Sequence, residues 1–71
     1  MSTIASKEYR EIIERLIKAR KDAGLTQVEV AKLLGKPQSF VSKVESRERR
    51  LDIVEIKQFA KIYAVNVSDL I

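Results

Sequence analysis

The side chains of this sequence that could do chemistry are mainly amides, hydroxyls and cations, and residues 36–50 contain one Gln, three Ser and five Lys or Arg. The 71 residues include no Cys and no His. This excludes disulfides, thiolate nucleophiles, the commonest zinc ligands and the commonest general base. The carboxylates are scattered along the chain and offer no pairing of nucleophile and base. The composition therefore predicts a protein that binds through hydrogen bonds and charge, with no enzyme activity, no metal site and no cofactor.

Positive charge is concentrated in the middle of the chain. The sequence carries 14 Lys and Arg against 10 Asp and Glu, a formal net charge of +4. Of these, five cations lie in residues 36–50, where only Glu45 and Glu48 oppose them. A local basic patch suits a polyanion better than a membrane surface. The alternative is an ordinary solvated run of charges.

Helical periodicity and capping signals predict a compact all-α fold of five helices in one domain, residues 1–71. Apolar residues recur at helical spacing, and no segment alternates long enough to indicate a strand. Thr26 to Glu29 and Asp52 to Glu55 have the pattern of a capping box. Gly24 stands where a left-handed helix end favours glycine. The expected bounds of the helices are about 6–23, 26–34, 37–46, 52–63 and a short stub from 66.

Residues 26–46 contain the most informative local pattern. Gly35 ends the second helix, and Pro37 is expected in the first turn of the third helix, so the turn between them is very tight. Two short helices joined by such a turn, with basic residues on and after the second, make a helix-turn-helix.

The third helix has an apolar side and a small polar side at 100° per residue. The inward side holds Val41, Val44 and Glu45, and the outward side holds Ser39, Ser42, Lys43 and Ser46, with Gln38 at its edge. A helix with such a side can lie close to base edges in a major groove. There a Gln amide can pair with adenine, and a Lys can reach guanine or a phosphate. The alternative is a plain solvated helix face.

A wider set of residues at matching spacing supports this interpretation. They are Leu16, Arg20, Gly24-Leu25-Thr26-Gln27, Val30-Ala31, Leu34-Gly35, Gln38-Ser39, Val41-Ser42, Val44-Glu45, Asp52-Ile53, Ile56, Ala60 and 65–70. With them, residues 16–70 resemble the Cro and phage-repressor helix-turn-helix family, in particular its small prophage and mobile-element regulators. The chain departs from the family at Arg47 and Ala64, where glycine is usual.

The resemblance implies that Gln27, at the start of the second helix, contacts a DNA phosphate beside backbone N–H groups. The alternative is an ordinary first-turn residue. Further phosphate contacts, which position a protein without reading sequence, are expected from Lys36, Ser46, Arg47, Arg49 and Arg50. Base readout is expected from Gln38, Ser39, Ser42 and Lys43.

Arg20 lies within about 20° of the centre of the apolar stripe of the first helix. A cation there needs a partner, and Glu45, on the inward side of the third helix, is the expected one. The family resemblance also implies an Arg–Glu bridge at these positions. Phe40 is expected either to pack on Leu33 over the turn or to touch thymine methyls or sugars at the DNA surface.

The fourth helix is expected to present Ile53, Ile56, Ala60 and Tyr63 inward. Val54, Gln58 and Ile62 then form an outward line, extended by Val67 and Ile71. Apolar residues on a solvent-facing line suggest a homodimer interface, although scattered apolar surface residues are common.

The sequence thus predicts a sequence-specific regulator of transcription that binds double-stranded DNA, acting as a dimeric repressor on a palindromic operator. The alternative is an antitoxin or another protein-interaction module with the same fold. Lacking a signal-peptide core and a membrane-length apolar run, the chain is expected to be cytoplasmic, with no small-molecule ligand.

Overall fold

The computed structural model describes residues 6–71, which form four α-helices and no strand. The helices are α1 (Lys7–Asp22), α2 (Gln27–Leu34), α3 (Gln38–Glu45) and α4 (Ile53–Tyr63). The all-α fold is confirmed, but the predicted fifth helix is only a 3-10 turn, Val67–Asp69. The N–H groups of Asp69 and Leu70 bond three residues back, at 2.9 Å each, so the segment has the tighter 3-10 spacing.

The helix starts follow from side chains that satisfy free backbone N–H groups. Glu29 N–H donates to Thr26 Oγ1 at 3.1 Å, and Thr26 N–H donates to Glu29 Oε1 at 2.9 Å. Asp52 and Glu55 make the same reciprocal pair at the start of α4. Pro37, expected inside the first turn of α3, is instead its extended N-cap residue, with ψ 155°.

All four helices end in the same backbone hydrogen-bond pattern, a Schellman-type turn. A residue with positive φ donates its N–H three residues back, and the next residue donates five residues back. The residues with positive φ are Gly24 (73°), Gly35 (69°), Arg47 (64°) and Ala64 (56°). Only the first two have the residue type that adopts this conformation without steric cost.

The core forms where α1, α3 and α4 meet, with α2 packed against α3 and α4. Its buried residues are Tyr9, Ile13, Leu16, Val30, Ala31, Val41, Val44, Leu51, Phe59, Ala60, Tyr63 and Leu70. Ile53, expected to face inward, is 55% exposed. It is the first residue of α4, and helical side chains lean toward the N-terminus, so Ile53 extends past the packed part of the helix.

Candidate nucleic-acid interface

The polar side of α3 faces solvent because its other side is anchored in the core. Val41 and Val44 are completely buried. Of the four residues expected to read bases, Ser39, Ser42 and Lys43 lie on the opposite side and Gln38 lies at its edge. Gln38, Ser39 and Lys43 are exposed, and Ser42 is half-buried. Short side chains between a Gln and a Lys allow the helix backbone to approach another surface closely.

Arg20 and Glu45 meet across α1 and α3 in a paired contact. Arg20 Nε donates to Glu45 Oε2 at 2.7 Å, and Arg20 Nη2 donates to Glu45 Oε1 at 3.1 Å. Arg20 Nη1 also donates to the Leu25 carbonyl at 2.9 Å. The two charged side chains keep only 12% and 6% of their exposure. The hydrogen bonds to Glu45 raise the pKa of Arg20, and the paired hydrogen bonds fix α3 against α1.

The ion pair continues outward through two glutamines. Gln27 Nε2 donates to Glu45 Oε1 at 2.9 Å, and Gln38 Nε2 donates to Gln27 Oε1 at 3.5 Å. Gln27 is therefore more than a first-turn residue of α2, because its amide links the buried carboxylate to the exposed start of α3. Among the residues that the structure describes, Gln38 Oε1 and its second N–H have no partner.

The residues expected to bind phosphates occupy different environments. Arg50 is exposed and Arg47 is half-buried beyond the end of α3. Ser46 is exposed, but its hydroxyl lies 2.6 Å from Glu48 Oε2 and donates within the chain. Lys36, also exposed, has its Nζ 5.6 Å from the centroid of the Phe40 ring.

Arg49 has partners that the sequence did not reveal. It forms an ion pair with Glu55, its Nη2 lying 2.9 Å from Glu55 Oε2, and its guanidinium lies over Phe40. Phe40 stacks on Phe59 with a centroid distance of 6.3 Å, a partner that the sequence analysis did not name, and Leu33 is 63% exposed. One feature of the sequence could have indicated the Arg49–Glu55 pair: Glu55 caps α4 with one carboxylate oxygen, so its other oxygen can accept a bond from a nearby cation.

The outward line of α4 is partly exposed. Val54 and Ile71 are each 59% exposed and Gln58 is exposed, whereas Ile62 and Val67 are half-buried. Between α2 and α4, a surface groove of about 490 Å³ continues this apolar surface; its lining residues are Leu33, Leu34, Gln58, Lys61 and Ile62.

The geometry of two short helices, a tight turn and an anchored, polar third helix agrees with the comparisons to known proteins. The helix-turn-helix family matches residues 16–70, most of the chain. The chain belongs to the helix-turn-helix family. A solved structure of an XRE-family like protein from Pseudomonas syringae pv. tomato str. DC3000 is 45% identical and has a TM-score of 0.82. The match covers 87% of this chain and 76% of that one.

Family membership supports DNA binding and regulation of transcription as the class of function, and the family is typically non-enzymatic. No curated protein matches the chain significantly. Within residues 6–71 of this helix-turn-helix protein, no cluster of three or more carboxylates could hold a metal ion. None of the helices described for those residues is long and apolar enough to cross a membrane.

Proposed function

We propose that this helix-turn-helix protein is a sequence-specific regulator of transcription that binds double-stranded DNA, with α3 in the major groove. The single observation that carries this proposal is the orientation of α3. Val41 and Val44 are fully buried while Gln38, Ser39 and Lys43 are exposed beside them. An eight-residue helix held so firmly on one side presents a fixed pattern of donors and acceptors on the other.

Base readout is assigned to Gln38, Ser39, Ser42 and Lys43. Adenine offers one donor and one acceptor in the major groove, which a Gln amide can pair with both of its ends. Gln38 fits this role because Gln27 takes only one of its N–H groups, leaving Oε1 and the second N–H. Glu45 in turn holds Gln27. The amide of Gln38 is therefore oriented before DNA arrives.

Phosphate contacts are assigned to the cations and polar groups around this face. Lys36, Arg47 and Arg50 flank α3 in sequence, and Gln27 lies at the first turn of α2, where backbone N–H groups favour an anion. The Ser46 hydroxyl would have to exchange Glu48 for a phosphate. Each phosphate neutralised should contribute about 0.9 to the slope of log affinity against log salt.

Selection of bound sites from randomised duplex DNA tests the proposal directly. The expected result is enrichment of one short motif, with affinity for it that falls steeply as salt rises. Failure to enrich any motif at physiological salt would contradict sequence-specific binding. A scrambled duplex of the same length and composition is the control for non-specific binding.

We further propose that the protein is a homodimer that represses by occupying a palindromic operator. Support comes from the exposed apolar residues near the outward line of α4, whose members are Val54, Gln58, Ile62, Val67 and Ile71. A twofold pairing through this line would serve to place two copies of α3 about 34 Å apart, one turn of DNA.

Sedimentation velocity at tens of micromolar, with and without the selected DNA, measures the oligomeric state. A dimer is expected for the wild-type chain, and Val54→Glu should dissociate it. Lys57→Glu is the control, because Lys57 is exposed on the same helix but outside the line. Monomers both with and without DNA would rule out the dimer, but they would not contradict the proposal that the protein binds DNA.

A further inference from the structure

Arg49 is surrounded by groups that use both its charge and its planar shape. Its Nη1 donates to Glu55 Oε1 at 3.0 Å and to the Arg50 carbonyl at 2.8 Å, and its Nη2 lies 2.9 Å from Glu55 Oε2. The guanidinium carbon is 4.6 Å from the centroid of the Phe40 ring, within the range of a cation–π contact. A single side chain thereby contacts α3, α4 and its own loop.

The two main partners of Arg49 are themselves fixed. The Phe40 ring stacks on Phe59 with an interplanar angle of 11°, and Phe59 is completely buried. Glu55 Oε1 also accepts the Asp52 N–H at 3.0 Å, in the capping box of α4. Arg49 is therefore held by groups that cannot move without disturbing the core or the start of α4.

The backbone on either side of Arg50 is held from α1. The Leu51 N–H donates to the Tyr9 hydroxyl at 3.1 Å, and that hydroxyl donates to the Arg49 carbonyl at 3.5 Å. The segment 46–52, which carries Arg47 and Arg50, is thus attached to α1 by its backbone and to α3 and α4 through the Arg49 side chain.

We propose that Arg49 is a positioning residue rather than a phosphate ligand: it holds segment 46–52 so that Arg47 and Arg50 meet the DNA backbone. The role toward DNA rests on the proposed function. Because Glu55 already balances its charge, Arg49 contributes little to the release of counterions from DNA. Lysine cannot replace it, since an ammonium lacks the planar fork that pairs with a carboxylate and stacks on a ring.

The variant Glu55→Gln separates this role from simple electrostatics. Glutamine preserves the capping pattern of α4 but removes the ion pair. If charge alone mattered, losing a carboxylate near the basic patch would tighten DNA binding. The positioning role predicts weaker binding to the selected duplex, by roughly threefold or more. Glu48→Gln is the matched control: it removes one carboxylate charge from segment 46–52 without removing a partner of Arg49, and it should leave binding equal or tighter. Equal tightening by both variants would overturn the proposal.

Lysine and alanine substitutions provide a second discrimination. Arg49→Lys should weaken binding as much as Arg49→Ala, whereas Arg50→Lys should weaken it less than Arg50→Ala, since an ammonium can still neutralise a phosphate. Arg50→Ala should lower the salt slope by about 0.9, and Arg49→Ala by clearly less. If Arg49→Lys binds with wild-type affinity and Arg49→Ala lowers the salt slope by about 0.9, Arg49 is a phosphate ligand instead.

A measurement without DNA tests the contact by itself. In NMR spectra of the free protein, the Phe40 ring should shift the side-chain protons of Arg49 upfield, and Glu55→Gln should reduce this shift. Unshifted Arg49 protons in the wild-type chain would overturn the proposal whatever the DNA results. If the Arg49 protons are shifted but the chain shows no salt-dependent binding to any duplex, the proposed function and the role of Arg49 toward DNA are refuted. The contact between Arg49 and Phe40 is then confirmed on its own.

Discussion

Glu45 connects the stability of this protein to its recognition surface through one carboxylate. It accepts two hydrogen bonds from Arg20 and one from Gln27, while keeping 6% of its side-chain exposure. Removing one member of such a pair leaves a buried charge without compensation, which costs more than the pair itself contributes.

We therefore expect Glu45→Ala to lower the free energy of unfolding by roughly 3–5 kcal/mol. The double change of Arg20→Met with Glu45→Leu should recover much of that loss, since neither charge then remains buried. Urea denaturation measures both variants, and Glu11→Ala is the control, because the Glu11 side chain keeps 42% of its exposure. Coincident midpoints for Glu45→Ala and Glu11→Ala would show that the pair contributes no such stability.

Tyr63 presents the opposite case, a buried polar atom without a partner. Its side chain is 4% exposed, and its hydroxyl has no hydrogen bond among the described residues. Burial, with a smaller effect of the Glu45 carboxylate, raises the pKa of Tyr63. We expect Tyr63→Phe to leave the unfolding free energy unchanged or to increase it by about 1 kcal/mol, because no bond is lost and a buried hydroxyl is removed. A loss of more than about 1 kcal/mol in chemical denaturation would indicate a bond that the structure does not show.

The four helix ends have the same pattern of hydrogen bonds but differ in the conformational free energy of the residue with positive φ. Arg47 and Ala64 adopt φ of 64° and 56°, and a side chain in this conformation costs roughly 1 kcal/mol relative to glycine. At Ala64 the structure shows no compensating contact, whereas Arg47 lies directly beyond the proposed recognition helix.

Arg47→Gly should consequently raise the melting temperature while weakening DNA binding, so that the two quantities change in opposite directions. Ala64→Gly is the matched control, expected to raise the melting temperature and to leave DNA affinity unchanged. Thermal denaturation and binding titrations measure the two effects. A lower melting temperature for Arg47→Gly would refute the strained helix end, and an unchanged affinity would remove Arg47 from the DNA contacts.

The sequence predicted the helix bounds closely because their signals are local. Thr26 with Glu29 and Asp52 with Glu55 mark the two capping boxes, and both are present. The features that it did not predict depend on how the helices are placed in space. Phe40 stacks on Phe59 because α3 and α4 come together, and Arg49 pairs with Glu55 because the loop after α3 folds back on the first turn of α4. No periodicity within one helix contains that information.

For the molecule as a whole, the absence of His removes the side chain that titrates near neutral pH. The carboxylates of Glu55 and Glu29 have lowered pKa values in the folded chain, the first mainly through Arg49 and the second mainly through the Thr26 backbone N–H. A lowered folded pKa stabilises the fold above the unfolded carboxyl value of about 4.3, and this contribution is lost as pH falls through the folded values.

The melting temperature should therefore be nearly constant from about pH 5.5 to 9 and fall below about pH 4.5. Glu55→Gln should flatten the acidic part of this curve. Glu14→Gln serves as the control, since Glu14 is exposed and has no ion pair in the described part of the chain. A steep change near pH 6.5, or an acidic limb unaltered by Glu55→Gln, would contradict this assignment.

Site selection repeated with Gln38→Ala and Lys43→Ala tests whether α3 reads bases through these two side chains. Each variant should lose preference at one position of the motif, an A·T pair for Gln38 and a G·C pair for Lys43, with roughly 1–3 kcal/mol less discrimination there. Preferences at the remaining positions should persist, because the fold and the other contacts are unchanged. Motifs identical to the wild-type motif for both variants would show that α3 does not read the bases.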